Sequence, residues 1–144
     1  MKLVYLGQFR DVSGYAIAAR GYLKALDIYL QNNPSAFELK IYSPVASSSR
    51  LEEDEQSLIE KYEFKNDQDL DNFISEDFDL LWHLPPPMVN FGDDRFQPSP
   101  GCSPSMSKLM RACKRSISLL AWETDKVPME WRRAFDYYPP DKII

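Results

Sequence analysis

Three stretches of this chain carry residue types that do chemistry. Gly7-Gln8-Phe9-Arg10-Asp11-Val12-Ser13-Gly14-Tyr15 joins an apolar run to a helical pattern. Backbone N–H groups at a helix start suit an anion, and a phosphate is the usual guest. The GxGxxG and GxxxxGKS/T patterns are both absent. Ser13, Gly14 and Tyr15 therefore read equally as an anion site or as a turn glycine beside a capping serine. His83 is the only histidine and closes an apolar run just before Pro85-Pro86-Pro87. An imidazole there can hydrogen-bond a hydroxyl or pass a proton near neutral pH, with a purely structural role as the alternative. Glu123, with Asp125, follows the apolar run Ile117 to Trp122. Its carboxylate can accept hydrogen bonds from hydroxyls, or it can cap the next helix or pair with Lys126 or Arg132.

A fourth group, Lys108, Arg111, Lys114 and Arg115, is spaced along one helical pattern beside Met106, Leu109 and Met110. It is expected to form an ordinary solvated helix face, with weak peripheral contact to an anionic membrane as the other reading. Other chemistries lack their residues. No GxSxG is present, so serine hydrolysis has no support. Cys102 and Cys113 do not have zinc-type spacing, and one histidine adds little, so no metal site is expected.

These residues need elements to position them. Lys2 to Gly7 reads as a strand buried on both faces, because Leu3, Val4, Tyr5 and Leu6 form an unbroken apolar run. Ser13 is a suitable N-cap for a helix running to about Leu30, with Ala18, Tyr22, Ala25 or Leu26, and Tyr29 expected on its inner side. Phe37, Leu39 and Ile41 alternate with charge and predict a strand through Tyr42. An acidic helix follows, with Leu51, Leu58, Ile59 and Tyr62 on one side, and Glu52 to Glu55 suit its start. Glu63 to Lys65 reads as a short edge strand, and Asp67 as the cap of a helix holding Leu70, Phe73 and Ile74. Phe78 to Leu84 is the next strand. Pro85 to Ser103 shows no periodic element. Pro85, Pro86, Pro87, Pro98, Pro100 and Pro104 make up six of the 11 prolines. Ser103-Pro104 opens a helix buried through Leu109, Met110 and Cys113. A strand from Ser116 to Trp122, a helix from Pro128 to Phe135 and a strand starting at Asp141 complete the pattern. Alternating strands and helices predict a single α/β domain: a Rossmann-like, doubly wound, mostly parallel sheet with helices on both faces. In such a sheet the ends of the strands before Gly7, after His83 and before Glu123 share one edge.

Composition narrows the classes further. The chain has 144 residues, 44% hydrophobic and 27% charged, as soluble globular domains do. A net charge of -5 disfavours nucleic acid as a partner. The N-terminal apolar run is too short for a signal peptide, and no run reaches transmembrane length, so a cytoplasmic location is expected. The last residues, Asp141-Lys142-Ile143-Ile144, read as an opening strand and suggest a piece of a longer protein.

The stretch YLGQFRDVSGYAIAARGYLKAL resembles the first strand, glycine turn and first helix of GT-B-fold glycosyltransferases, of the large retaining group called group 1 or family 4. LLAWETDKVPMEWRRAF followed by DKII is similar to a second segment of that family, and DFDLLWHLPPP to the strand that ends near a histidine. The three span the chain from end to end, so the resemblance is to the whole amino-terminal domain. It implies a metal-free two-domain enzyme, without a cofactor, that moves a sugar from a nucleotide-sugar donor to an acceptor. This domain would serve mainly the acceptor, and a carboxyl-terminal donor domain would be the missing half. By position, Ser13 and Gly14, with Tyr15 beside them, would lie near the donor phosphates. His83 would face the transferred sugar, and Glu123 would sit on the acceptor side or support the cleft. The turn has one glycine, Gly14, where many relatives have two adjacent ones, and the family's paired-glutamate donor motif is not in this chain.

The isolated chain is therefore expected to be inactive, because half a cleft cannot exclude water. An apolar face left for the missing domain would favour self-association into a homo-oligomer. Two other classes compete: a non-catalytic α/β binding module, and another doubly wound enzyme using a nucleotide or phosphorylated metabolite.

Overall fold

The computed structural model describes residues 1–44, 51–85, 104–120, 129–137 and 139–144. Among these described residues are five strands and five helices, in the order β1 (Lys2–Gly7), α1 (Gly14–Asn32), β2 (Glu38–Tyr42), α2 (Glu53–Tyr62), α3 (Asp67–Ile74), β3 (Phe78–His83), α4 (Pro104–Ala112), β4 (Arg115–Ser118), α5 (Met129–Tyr137) and β5 (Lys142–Ile143). The strands form one sheet in the order β2-β1-β3-β4-β5, and every pairing is parallel. The chain is thus an α/β domain with a Rossmann-like sheet.

Period-two alternation along the central strands divides the core into two layers. On one face Val4, Leu6, Phe78, Leu80 and Trp82 pack against Leu70 and Phe73 of α3 and Met106, Leu109 and Met110 of α4, with Phe135 of α5 at the margin. On the other, Tyr5, Leu39 and Ile41 pack against Ala19 and Leu23 of α1 and Ile59 and Tyr62 of α2. Both faces of β1 and β3 are covered, which is why their sequences read as continuous apolar runs.

Several boundaries differ from the sequence reading. The inner side of α1 is Ala16, Ala19 and Leu23, flanked by Leu26 and Leu30. Tyr22 and Tyr29 lie half-exposed on the flank. The buried face thus lies one residue on from Ala18, Tyr22 and Tyr29, because small alanines and Leu23 pack against the sheet while the tyrosines keep their hydroxyl-bearing rings at the flank. Asn66, not Asp67, caps α3, its side chain accepting from the Asp69 N–H at 2.9 Å. Glu63 makes a single bridge to Ile41 instead of an edge strand. The strand expected to reach Trp122 ends at Ser118, although Leu119 N–H still donates to the Trp82 carbonyl at 2.9 Å.

Candidate functional site

The carboxyl ends of β1 and β3 define the site. From β1 the chain passes to β2 on one side, while β3 lies on the other, so the strand order reverses between β1 and β3. Open parallel sheets bind ligands at such a reversal, because the two connections leave in opposite directions and open a crevice. The register sets Gly7 directly opposite His83. The β1–α1 turn and the single histidine therefore belong to one crevice.

The turn is held on every side. Ser13 sits in extended backbone, and its hydroxyl accepts from Ala16 N–H at 3.3 Å while donating to Gln8 Oε1 at 3.2 Å. Phe9 is fully buried, edge-on to Tyr5 at 5.0 Å between ring centres. Arg20 reaches back from α1: its Nη1 donates to the carbonyls of Phe9 at 2.9 Å and Asp11 at 2.8 Å, and its Nε pairs with Glu55 of α2 at 2.8 Å. Arg10 grips Glu63 with Nη2 to Oε2 at 2.7 Å. A Cβ on Gly7 would lie 3.3 Å from the Phe9 ring, so a side chain there would require that ring to give by a few tenths of an ångström. A Cβ on Gly14 would meet nothing within 4 Å. The first turn of α1 carries no acidic residue, leaving its positive end uncompensated from within.

His83 is 3% exposed. Its Nδ1 lies 2.9 Å from the Tyr5 hydroxyl. Tyr15 leans over the ring at 5.4 Å between centres, and Tyr22 meets it edge-on at 5.7 Å. Burial lowers the His83 pKa from its ordinary value, so the neutral ring is favoured. Burial also raises the Tyr5 phenol, with Tyr22 adding to the effect, so Tyr5 keeps its proton. Among the described residues, Nε2 has no hydrogen-bond partner.

No family model, no curated protein and no solved structure matches this chain. What the crevice can do must be argued from its own chemistry. It offers a rigid helix start and a neutral imidazole side by side, an arrangement suited to an anionic or hydroxyl-bearing ligand.

Of the residues singled out from sequence, Tyr15 touches His83, and Ser13 and Gly14 form the adjoining helix start. Glu123 lies outside the described residues, as do Trp122, Asp125, Pro128 and the cap position Ser103. In the basic group on and after α4, Lys108 pairs with Asp71, Lys114 with Asp77 at 2.6 Å and Arg115 with Asp79 at 2.5 Å. A membrane surface would have to compete with those carboxylates. Among the described residues no group of three or more His, Cys, Asp or Glu side chains could hold a metal ion, and no helix is long and apolar enough to cross a membrane.

Sequence reasoning missed Tyr5, Tyr22 and Arg20. Tyr15 and Tyr22 are seven residues apart, two helical turns on one face, which was a usable signal. Tyr5 read as one more apolar strand residue. Only the parallel pairing of β1 with β3 reveals that it faces a histidine 78 residues away.

Proposed function

We propose that this chain is the amino-terminal, acceptor-side domain of a glycosyltransferase of the GT-B kind, which moves a sugar from a nucleotide-sugar donor to an acceptor. One observation carries the reading: the β1–α1 turn and His83 meet at the point where the strand order reverses, with Gly7 opposite His83 and Tyr15 against its ring. Glycosyl transfer leaves negative charge on the departing phosphate, and preorganised N–H groups at the start of α1 would stabilise it. Gly14, open on its Cβ side, leaves room for that phosphate to come close to the backbone. His83 would hydrogen-bond the transferred sugar, and Glu123 would serve the acceptor or the cleft wall. Ser13 would hold the shape of the turn.

The test uses the enzyme that carries this domain together with a donor-binding domain. His83→Ala and Glu123→Ala, each folded, are expected to lower transfer by roughly 10²-fold. Unchanged transfer in both variants sinks the assignment. The 144-residue chain by itself is expected to show no turnover with nucleotide sugars. The burial of His83 under three tyrosines favours one other reading, an α/β module that binds a ligand at the same crevice without chemistry. Titration of the chain with nucleotide sugars, nucleotides and NAD separates these readings from a different nucleotide-using enzyme.

A further inference from the structure

We infer that Tyr5 is a positioning residue that holds His83 as the neutral Nε2–H tautomer, so that the ring meets a ligand as a hydrogen-bond donor and not as a proton acceptor. The inference rests on the proposed function in one respect: that His83 faces a ligand.

The argument is one of donor and acceptor accounting. Tyr5 is fully buried, and His83 Nδ1 is the only acceptor for its hydroxyl among the described residues. A neutral imidazole carries its proton on one nitrogen. With the proton on Nδ1, the contact at 2.9 Å would have to run from the ring to the phenol oxygen. The phenol's own proton would then have no acceptor among the described residues. Stranded buried donors are costly and therefore rare. With the proton on Nε2, Tyr5 donates to Nδ1 and one donor, Nε2–H, remains for a ligand oxygen. Protonating the whole ring would again strand the phenol, and burial already disfavours the charge. Among the described residues, the titratable side chains in contact with the ring are Tyr5 from β1 and Tyr15 and Tyr22 from α1. A histidine locked this way is a poor proton shuttle and a good fixed donor.

The experiment is nitrogen NMR on the ¹⁵N-labelled chain, where a single histidine removes any ambiguity of assignment. A long-range ¹H–¹⁵N correlation near pH 7.5 is expected to show Nδ1 in the range of a bare ring nitrogen and Nε2 in that of an N–H. The protonation midpoint is expected below the ordinary 6.5. In Tyr5→Phe the two nitrogen shifts should move toward each other as the tautomers mix. A proton on Nδ1 in the natural protein, or an averaged pair there, overturns the inference. So does an unchanged spectrum in folded Tyr5→Phe. Should that variant fail to fold, the natural protein's spectrum decides alone. Full transfer by His83→Ala in the complete enzyme would overturn the ligand-facing half together with the proposed function, whatever the spectrum shows.

Discussion

Arg20 is the residue whose removal should most sharply test how the crevice is built. Its guanidinium joins three things: the Phe9 carbonyl, the Asp11 carbonyl and the Glu55 carboxylate. Its side chain is 12% exposed, whereas that of Glu55 is 34% exposed. The ion pair is thus partly wet, and Glu55→Gln should cost no more than about 1 kcal/mol. The two carbonyl contacts differ, because each is a hydrogen bond from a charged donor, worth roughly 1.5–3 kcal/mol. Water can reach the freed carbonyls after truncation and recover part of that. Arg20→Ala is therefore expected to cost about 2–4 kcal/mol, mostly through the turn. Lysine has no planar fork to span three acceptors, so Arg20→Lys should recover less than half of the loss. The assay is urea unfolding followed by tryptophan fluorescence, with the slope unchanged, alongside amide exchange of residues 8–13. Those amides should exchange faster in Arg20→Ala and not in Glu55→Gln. Equal costs for Arg20→Ala and Glu55→Gln, both under 1 kcal/mol, would refute the idea that Arg20 shapes the turn.

The other predictions concern two glycines and acid. Gly14→Ala adds a Cβ where nothing lies within 4 Å, so stability should hold within about 0.5 kcal/mol while inorganic phosphate or nucleotide-sugar binding weakens; calorimetry with both probes checks the second half. Gly21 is exposed inside α1, also with open space at its Cβ. Gly21→Ala should therefore stabilise by about 0.5–1 kcal/mol, or ~2–3 °C in a thermal melt. Stability should fall in two stages on acidification. The first begins as pH drops below 6.5, where an unfolded His83 takes up a proton that the buried ring resists. The second begins below 3.8: Asp27 is lowered by hydrogen bonds from Lys61 and Tyr62, Asp69 by the Lys65 N–H and Lys40, and Asp79 by Arg115. The unfolded chain binds those protons first, so the stability these pairs provide is present above 3.8 and lost as pH falls through their folded values. His83→Gln should remove the first stage and keep the second, as read from unfolding midpoints at stepped pH.

Much of this molecule can be read along the chain, because local patterns encode local structure. The unbroken apolar run Leu3 to Leu6 predicts a strand covered on both faces, and β1 is one. Ser13 as a cap and Leu70 and Phe73 as an inner face follow from side-chain chemistry and helical period, and the structure agrees. The phase of α1 failed, since the pattern cannot tell a tyrosine lying half-exposed on the flank from one in the core. Of the candidate site, sequence supplied Ser13, Gly14, Tyr15, His83 and Glu123 as separate clues at strand ends. Which of them meet is a matter of strand order. The register that sets Gly7 opposite His83 comes from β1 pairing with β3, with β2 on its other side, and no local pattern records which strands become neighbours. The same pairing buries the Tyr5 hydroxyl against the imidazole, and that burial disfavours the charged form of both. Residue types determined what chemistry was available to this chain; tertiary packing, through burial and strand neighbours, decided which groups meet and which charged forms burial disfavours.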